Sequence, residues 1–137
     1  MSENMTELRR IEQLILANGR VDTDELELLR TTLYSGGKIN REAADFLVEL
    51  HKRVERANPA WEHFFYRAIK DHMLADGKIG VEETAWLKRM FFADGKFQDE
   101  ERKFLSELKG EAKHFSQAFD ILVHESMKLP PEQRTNG

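Results

Sequence analysis

A short segment that recurs four times constrains this chain more than any other feature. Its two clearest copies, residues 75–83 and 93–101, begin Ala-Asp-Gly-Lys, continue with an apolar residue and end in an acidic pair. Weaker copies occupy residues 17–25 and 35–43. Glycine readily adopts the positive φ that ends a helix, and the dipole of the next helix favours acidic residues in its first turn. Each copy therefore predicts a helix end, a tight turn and a new helix start.

Apolar residues between these turns recur at spacings of three and four, which is typical of amphipathic helices. Asn58 followed by Pro59 marks a further helix start, and no long stretch alternates as a strand would. We predict an all-α chain of about seven helices joined by short loops, as in a bundle, the last helix spanning roughly residues 112–127. A helix cap at Ser116 would split or kink that last helix. Residues 1–129 are expected to form a single domain and residues 130–137 a disordered tail.

The chain carries an internal duplication. Two glycines of the first half each lie 58 residues before a glycine of the second half: 19 and 77, 37 and 95. The same shift aligns core residues such as Ile11 with Ile69 and Leu47 with Leu105. It relates residues 5–57 to residues 63–110, so we predict two three-helix halves related by a pseudo-twofold axis, followed by a C-terminal helix. Asn18 and Gly36 replace aspartate in the first half, so shared acidic chemistry is expected mainly in the second.

Two copies of Ala-Asp-Gly-Lys followed by an apolar residue and an acidic pair resemble the TerB-like family. That family is all-helical and named for tellurite resistance, and a related domain begins some DnaJ-type cochaperones. The best match covers residues 60–110. The resemblance implies divalent-cation binding by the motif aspartate and the downstream glutamate, here Asp76, Glu83, Asp94 and Glu101. It also implies a role in bacterial stress-response or envelope-associated assemblies, and no defined reaction.

The residues leave two interpretations of these acidic clusters open. One ion held by all four carboxylates is excluded, because at ~1.5 Å per residue a straight helix separates Asp76 from Asp94 by roughly 20 Å, whereas ligands of one ion lie within about 5 Å of each other. Two separate sites remain, and folding could bring to them further acidic residues: Glu82 and Glu42 at the first, and Glu100, Asp22, Asp24 and Glu25 at the second. In the other interpretation the same side chains only cap helices.

Aromatic residues cluster within residues 61–66 and at residues 91–92. One helix cannot bury Phe64, Phe65 and Tyr66 equally. Some of Phe64, Tyr66 and Phe92 should therefore be half exposed, or be covered by the seventh helix or by a partner. Half exposure alone is normal, and a protein-binding face is the sharper interpretation. Phe64, Tyr66 and Phe92 are our candidate partner-contact residues.

Composition excludes several classes of function. The 137 residues carry a formal net charge of -4, which argues against nucleic acid or an anionic membrane surface as the main partner. The chain has no cysteine, so it forms no disulfide and no thiolate metal site. Since it has neither an apolar signal core nor a membrane-length apolar run, we expect a cytoplasmic protein that does not insert into membranes. It contains no nucleophile elbow, phosphate-binding loop or dinucleotide motif, so we expect no enzyme.

Two hypotheses of function follow. The first is a non-enzymatic TerB-like helical module, a protein-interaction or scaffold domain serving a stress response, with weak binding of a divalent cation such as calcium, magnesium or manganese. Its partner would be another protein. The second is a dedicated metal-ion-binding or metal-sensing protein, in which ion occupancy is itself the function. Tight and selective ion binding would favour the second hypothesis, and exposed aromatic residues with millimolar or absent ion binding would favour the first.

Overall fold

The chain is built almost entirely from helices. The structure is a computed structural model that describes residues 3–35, 37–56, 58–93 and 95–128. In chain order the elements are α1 (Glu3–Asn18), α2 (Thr23–Leu33), α3 (Arg41–Arg53), α4 (Pro59–Met73), β1 (Lys78–Ile79), α5 (Val81–Phe91), α6 (Asp99–Glu111), β2 (His114–Phe115) and α7 (Gln117–Ser126). The prediction of an all-α fold with about seven helices is confirmed. The predicted tail, residues 130–137, lies outside the described residues.

Two details differ from the sequence prediction. The helix expected over residues 112–127 begins only at Gln117, because Ser116 caps it: the Ser116 hydroxyl accepts a hydrogen bond of 3.2 Å from the Phe119 N–H. Residues 114–115 form β2 instead, which pairs in parallel with β1. Each strand has only two residues, too few for an alternating pattern to be recognised in a sequence.

The chain divides into two compact units, a first unit of residues 1–72 and a second unit of residues 73–137. In the first unit α1 packs on α2 and α3. The most deeply buried side chains of α1 are Leu8, Ile11 and Ile15, at the helical spacing of three and four. Leu29 of α2 and Leu47 of α3 are also fully buried. The apolar stripes that predicted these helices therefore form their core.

In the second unit α7 packs on both α5 and α6, and β1 packs on α5. The largest buried side chains are Trp86 of α5 and Phe119 of α7. Leu105 and Leu108 of α6 are also fully buried. Ile79 of β1 is also fully buried. The apolar residue that follows the glycine turn thus returns to the core.

The duplication is visible in the backbone of each unit. All four turn glycines have positive φ: Gly19 at 75°, Gly37 at 86°, Gly77 at 78° and Gly95 at 72°. The predicted left-handed turns are therefore confirmed. Adding 58 to the bounds of α2 and α3 gives the bounds of α5 and α6 with no offset.

Hydrogen bonds repeat as well. In the first unit the Arg56 N–H donates to the Gly19 carbonyl at 2.9 Å, and Arg20 forms a parallel bridge with Arg56. In the second unit the His114 N–H donates to the Gly77 carbonyl at 3.2 Å, where Lys78 pairs with His114. These partners are equivalent under the same shift. The β1–β2 pair of the second unit therefore repeats the contact that Arg20 and Arg56 make in the first unit as a single bridge.

The repeat extends to the last helix. α4 begins at Pro59 and α7 begins at Gln117, again 58 residues apart. Each is capped alike, since the Asn58 side chain accepts from the Trp61 N–H at 2.9 Å in the way that Ser116 accepts from Phe119. α7 is therefore the counterpart of α4, and α4 is also the counterpart of α1. The pseudo-twofold relation between the halves stays a prediction. No helix within the described ranges has the length and apolar character needed to cross a membrane.

Candidate functional site

The turn around Gly77 carries two of the predicted metal ligands. Asp76 is exposed, and its Oδ1 accepts a hydrogen bond of 3.0 Å from the Lys78 N–H, which shapes the turn. Glu83 is half buried in the first turn of α5. Its Oε2 lies 3.2 Å from the point that a Cβ on Gly80 would occupy, so the Glu83 side chain folds back over the start of its helix. Glu82, beside it, is exposed.

At the Gly95 turn the described residues show a capping role. The Glu101 Oε1 accepts a hydrogen bond of 2.8 Å from the Gln98 N–H at the start of α6. Glu100 is exposed in the same first turn. Asp94, the fourth predicted ligand, lies outside the described residues.

The acidic residues of the first unit also serve helix starts. Glu25 is buried, and its carboxylate accepts from the Asp22 N–H at 3.0 Å and from the Asn18 side-chain amide at 3.1 Å. The Asp22 carboxylate pairs with Arg20 at 3.2 Å. Glu42 is exposed in the first turn of α3. Throughout the described chain, no three His, Asp or Glu side chains form a group that could hold a metal ion.

The candidate partner-contact aromatics differ in exposure. Phe64 and Phe92 are each 6% exposed, whereas Tyr66 is partly exposed. Phe64 stacks on Trp61 with a centroid separation of 6.2 Å. Phe92 lies 4.7 Å from Phe97, centroid to centroid. Phe64 and Phe92 therefore belong mainly to the packing of the chain, and little of either ring is open to a partner.

The small exposed part of Phe64 nevertheless lines an open groove in the first unit. The groove consists of two adjoining cavities of about 380 and 570 Å³, which both border on Leu26 of α2 and Ala60 of α4. The smaller cavity is also lined by Arg20, Val21, Asp22, Thr23, Arg56 and Asn58, and the larger one by Arg30, Tyr34, His63, Phe64, Arg67 and Asp71. We call this feature the α2/α4 groove.

The larger cavity is rimmed by a small polar network. The Tyr34 hydroxyl donates a hydrogen bond of 2.6 Å to the Asp71 carboxylate, and Arg67 pairs with the same carboxylate at 3.4 Å. The Arg30 guanidinium lies 5.9 Å from the centroid of the Phe64 ring, within cation–π range. Partial burial, together with the bond to Asp71, raises the pKa of the Tyr34 phenol above its usual range. Tyr34 therefore stays neutral at physiological pH and acts as a hydrogen-bond donor.

The equivalent region of the second unit is packed differently. α5 packs more closely on α7 than α2 does on α4. Thr84 and Phe92, the counterparts of Leu26 and Tyr34, are buried, whereas Leu26 and Tyr34 are partly exposed. In the first unit α2 and α4 leave an open groove between them. In the second unit their counterparts, α5 and α7, pack together.

Sequence reasoning missed the groove and its arginines. Residues such as Arg30 and Arg67 lie far apart in the sequence and form no motif, so only the fold brings them to one rim. The duplication gave no clear signal either. The shift changes Leu26 to Thr84 and Tyr34 to Phe92, but it aligns Arg30 with Lys88 and Arg9 with Arg67, so the groove positions do not stand out in the sequence.

Comparison with known families gives one match. The profile of the family described as tellurite resistance protein TerB matches residues 11–122, which is most of the chain and includes parts of both units. Neither the curated proteins nor the solved structures that were searched gave a match. The family match agrees with the repeated glycine–acidic turns and with the helical fold around them. This chain belongs to the TerB tellurite-resistance family.

Proposed function

We propose that this TerB-family chain is a non-enzymatic protein-interaction module, and that it binds a segment of another protein in the α2/α4 groove. The observation that carries the proposal is the groove itself, an apolar floor with a charged rim left open between two helices. The family name supports a setting in a bacterial stress response.

The lining of the groove suits protein recognition. Arginine and tyrosine are enriched at protein interfaces, and here Arg30, Arg67 and Tyr34 stand around an apolar floor that includes Leu26 and Phe64. The arginine side chains of the rim ion pairs are more than half exposed. Exposed pairs of this kind contribute only about 0.2–1 kcal/mol each to stability. A partner can therefore rearrange them at little cost.

The polar network also supports a binding role over a catalytic one. A tyrosine that acts as a general acid or base works best with a pKa near the working pH, where it can exchange its proton. The environment of Tyr34 moves its pKa away from that range, and its hydroxyl is held by Asp71. These two groups are therefore better suited to holding the rim of the groove in shape.

A peptide-display experiment tests the proposal. A library of random peptides is selected against the full chain, and enriched peptides are mapped by backbone amide NMR shifts. We expect shifts at the groove residues of α2 and α4. Ala60→Phe fills the groove from an exposed position that borders both cavities, so it should abolish binding. Ala85→Phe, at an exposed position of α5, is the matched control. Peptides that map elsewhere, or that bind the Ala60→Phe variant equally well, would refute the proposal that the α2/α4 groove is the binding site.

A second candidate function is metal-ion binding or sensing at the Gly77 turn. The supporting observation is that Asp76 is exposed and Glu83 begins the next helix, so one turn carries two carboxylates. Calcium takes six to eight oxygen ligands, and two carboxylates with water supply a weak site at most. We therefore propose weak binding of calcium, magnesium or manganese, secondary to the groove.

Ion titration decides whether the second candidate holds. Amide shifts near Gly77 that saturate with calcium, magnesium or manganese, and that disappear in Asp76→Asn, would establish a site. Asp24→Asn removes an exposed carboxylate from the first turn of α2 and serves as the control. Shifts spread over all acidic residues, or none at millimolar ion, would leave Asp76 and Glu83 with helix-capping roles only.

A further inference from the structure

We infer that the occupant of the α2/α4 groove is an acidic amphipathic helix, in which glutamate or aspartate residues flank a few apolar anchors. This inference rests on the proposed interaction function and names the chemistry of its partner. Three observations carry it: the charge of the rim, the availability of its arginines and the shape of the floor.

The charge of the groove opposes that of the whole chain. Its lining contains four arginines and two aspartates: Arg20, Arg30, Arg56 and Arg67 against Asp22 and Asp71. Counting histidine as neutral, the lining has an excess of two positive charges, or one if Glu27, the partner of Arg30 outside the lining, is included, on a chain whose net charge is -4. A concave site of one sign attracts partners of the other sign and rejects those of its own.

The groove arginines are available to a partner. Arg20, Arg30 and Arg67 pair locally with Asp22, Glu27 and Asp71. All three arginine side chains are more than half exposed, so these pairs are weak and open to exchange. As far as the described residues extend, the exposed Arg56 guanidinium has no ion-pair partner, and an incoming carboxylate would be its first.

The shape of the groove suits a short helix. Two helices bound it, and α2 has 11 residues, which corresponds to a length of about 16 Å. A guest helix of about three turns matches that length and places apolar anchors at i, i+3 or i+4, and i+7 on one face. Leu26 lies between Arg20 and Arg56 at one end and Arg30 and Arg67 at the other. Acidic residues before and after the anchors would meet both pairs of arginines.

Designed peptides test the partner chemistry directly. Three peptides of about 12 residues share the same leucine anchors at helical spacing and carry glutamate, glutamine or lysine at the remaining positions. Binding to the full chain is followed by fluorescence anisotropy and amide NMR. We expect the glutamate peptide to bind in the groove at least about tenfold more tightly than the glutamine peptide, and the lysine peptide not to bind. Affinity should fall as salt rises from about 0.05 to 0.3 M.

Charge-reversal variants locate the interaction. Arg30→Glu and Arg67→Glu should each weaken the glutamate peptide about three- to tenfold, because each replaces an attraction by a repulsion. Arg10→Glu is the matched control, since Arg10 is equally exposed on α1, also pairs with a glutamate of its own helix and lies outside the groove. Equal weakening by all three variants would mean a general effect of net charge, and would overturn the inference.

The display library separates this inference from the proposed function. Groove-binding peptides enriched in glutamate and aspartate support both. Groove-binding peptides that are neutral or basic overturn the acidic partner and leave the interaction function standing. If no peptide maps to the groove, both fail. Concentration-dependent self-association that Ala60→Phe abolishes would assign the groove to a second copy of this chain, and saturable groove binding of a single-stranded polynucleotide would assign it to nucleic acid; either result overturns the inference.

Discussion

Tyr34 stabilises the first unit through the hydrogen bond that its hydroxyl donates to the Asp71 carboxylate. Replacing the tyrosine by phenylalanine keeps the ring and leaves one carboxylate oxygen without its donor. We expect Tyr34→Phe to lower the free energy of unfolding by about 1 kcal/mol, as is usual for one partly exposed hydrogen bond. Urea denaturation measures the loss. Tyr66→Phe, at the other tyrosine of the chain, is the comparison for losing a phenol hydroxyl.

The same tyrosine predicts a pH dependence. Its pKa is raised in the folded chain, chiefly by burial and then by Asp71, so the folded state holds the proton more tightly than the unfolded state. Above the ordinary tyrosine pKa of about 10 the unfolded chain releases this proton while the folded chain keeps it, so stability falls as pH rises from there. The decline should be smaller in Tyr34→Phe. Tyrosinate absorbance should show a late-titrating tyrosine that this variant lacks; one ionisation near pH 10 for both tyrosines would contradict this prediction.

Glycine at position 95 is a second test at the residue scale. Its φ is 72°, and no atom of the described residues lies within 4 Å of an added Cβ, so a side chain there meets backbone strain but no clash with them. We expect Gly95→Ala to destabilise the chain by about 1–2 kcal/mol. Gly110, inside α6, is the matched control: its neighbourhood is also open, and Gly110→Ala should stabilise the chain by about 0.5–1 kcal/mol. Thermal unfolding of both variants shows whether each gains or loses stability, and a loss of stability in both would contradict the prediction.

Local chemistry decides how many of these residues a sequence can predict. The turn glycines and the capping role of Glu101 follow from a few neighbouring residues, and both were recognisable. The positions of Arg30 and Arg67 on one rim depend on how α2 and α4 are placed in the first unit. Because that placement results from many weak contacts along the chain, no short pattern encodes it.

At the scale of elements, the equivalent helices α4 and α7 begin with different caps. Asn58 accepts from the Trp61 N–H and also donates to the Val21 carbonyl at 3.1 Å, which ties the start of α4 to the turn before α2. Ser116 makes the equivalent of the first contact: its hydroxyl accepts from the Phe119 N–H. Loss of a helix cap costs about 1 kcal/mol.

The added bond predicts a difference between the two caps. We expect Ser116→Ala to cost about 1 kcal/mol and Asn58→Ala about twice that, since the second change also removes the bond to Val21. Urea denaturation checks both values. Ser106→Ala, at an exposed position inside α6, should change stability little. Equal costs for the two caps would show that the Asn58–Val21 bond contributes nothing measurable.

The helices themselves were predictable because each has an apolar stripe and a recognisable start. Asn58-Pro59 predicted the beginning of α4, and the structure begins that helix at Pro59. The strands β1 and β2 were not predictable: each is two residues long, and they pair across more than thirty residues of chain. The duplication did not help, because the equivalent Arg20–Arg56 bridge of the first unit is itself visible only in the structure.

At the scale of the whole molecule, each unit contains one buried tryptophan. Trp61 is in the first unit and Trp86 in the second, both fully buried. The family profile covers residues 11–122 and so includes parts of both units. Our prediction of a single domain over residues 1–129 implies that the two units unfold together.

The two tryptophans test that prediction. In Trp61→Phe the remaining fluorescence reports on the second unit, and in Trp86→Phe it reports on the first. We expect each variant's fluorescence to give the same urea midpoint as its far-ultraviolet circular dichroism, because a single domain unfolds in one cooperative transition. Fluorescence and dichroism midpoints that separate in either variant would instead indicate two independently unfolding domains.

The difference between the duplicated regions also has a consequence for how this chain tolerates change. Thr84 and Phe92 are buried in the second unit, so most substitutions there should damage folding. Their counterparts Leu26 and Tyr34 line an open groove, where many substitutions leave the fold intact. An ancestral chain that had duplicated itself could therefore keep one copy for stability while the other varied. Of the two units, we expect the first to accept substitutions at these equivalent positions with the smaller loss of stability.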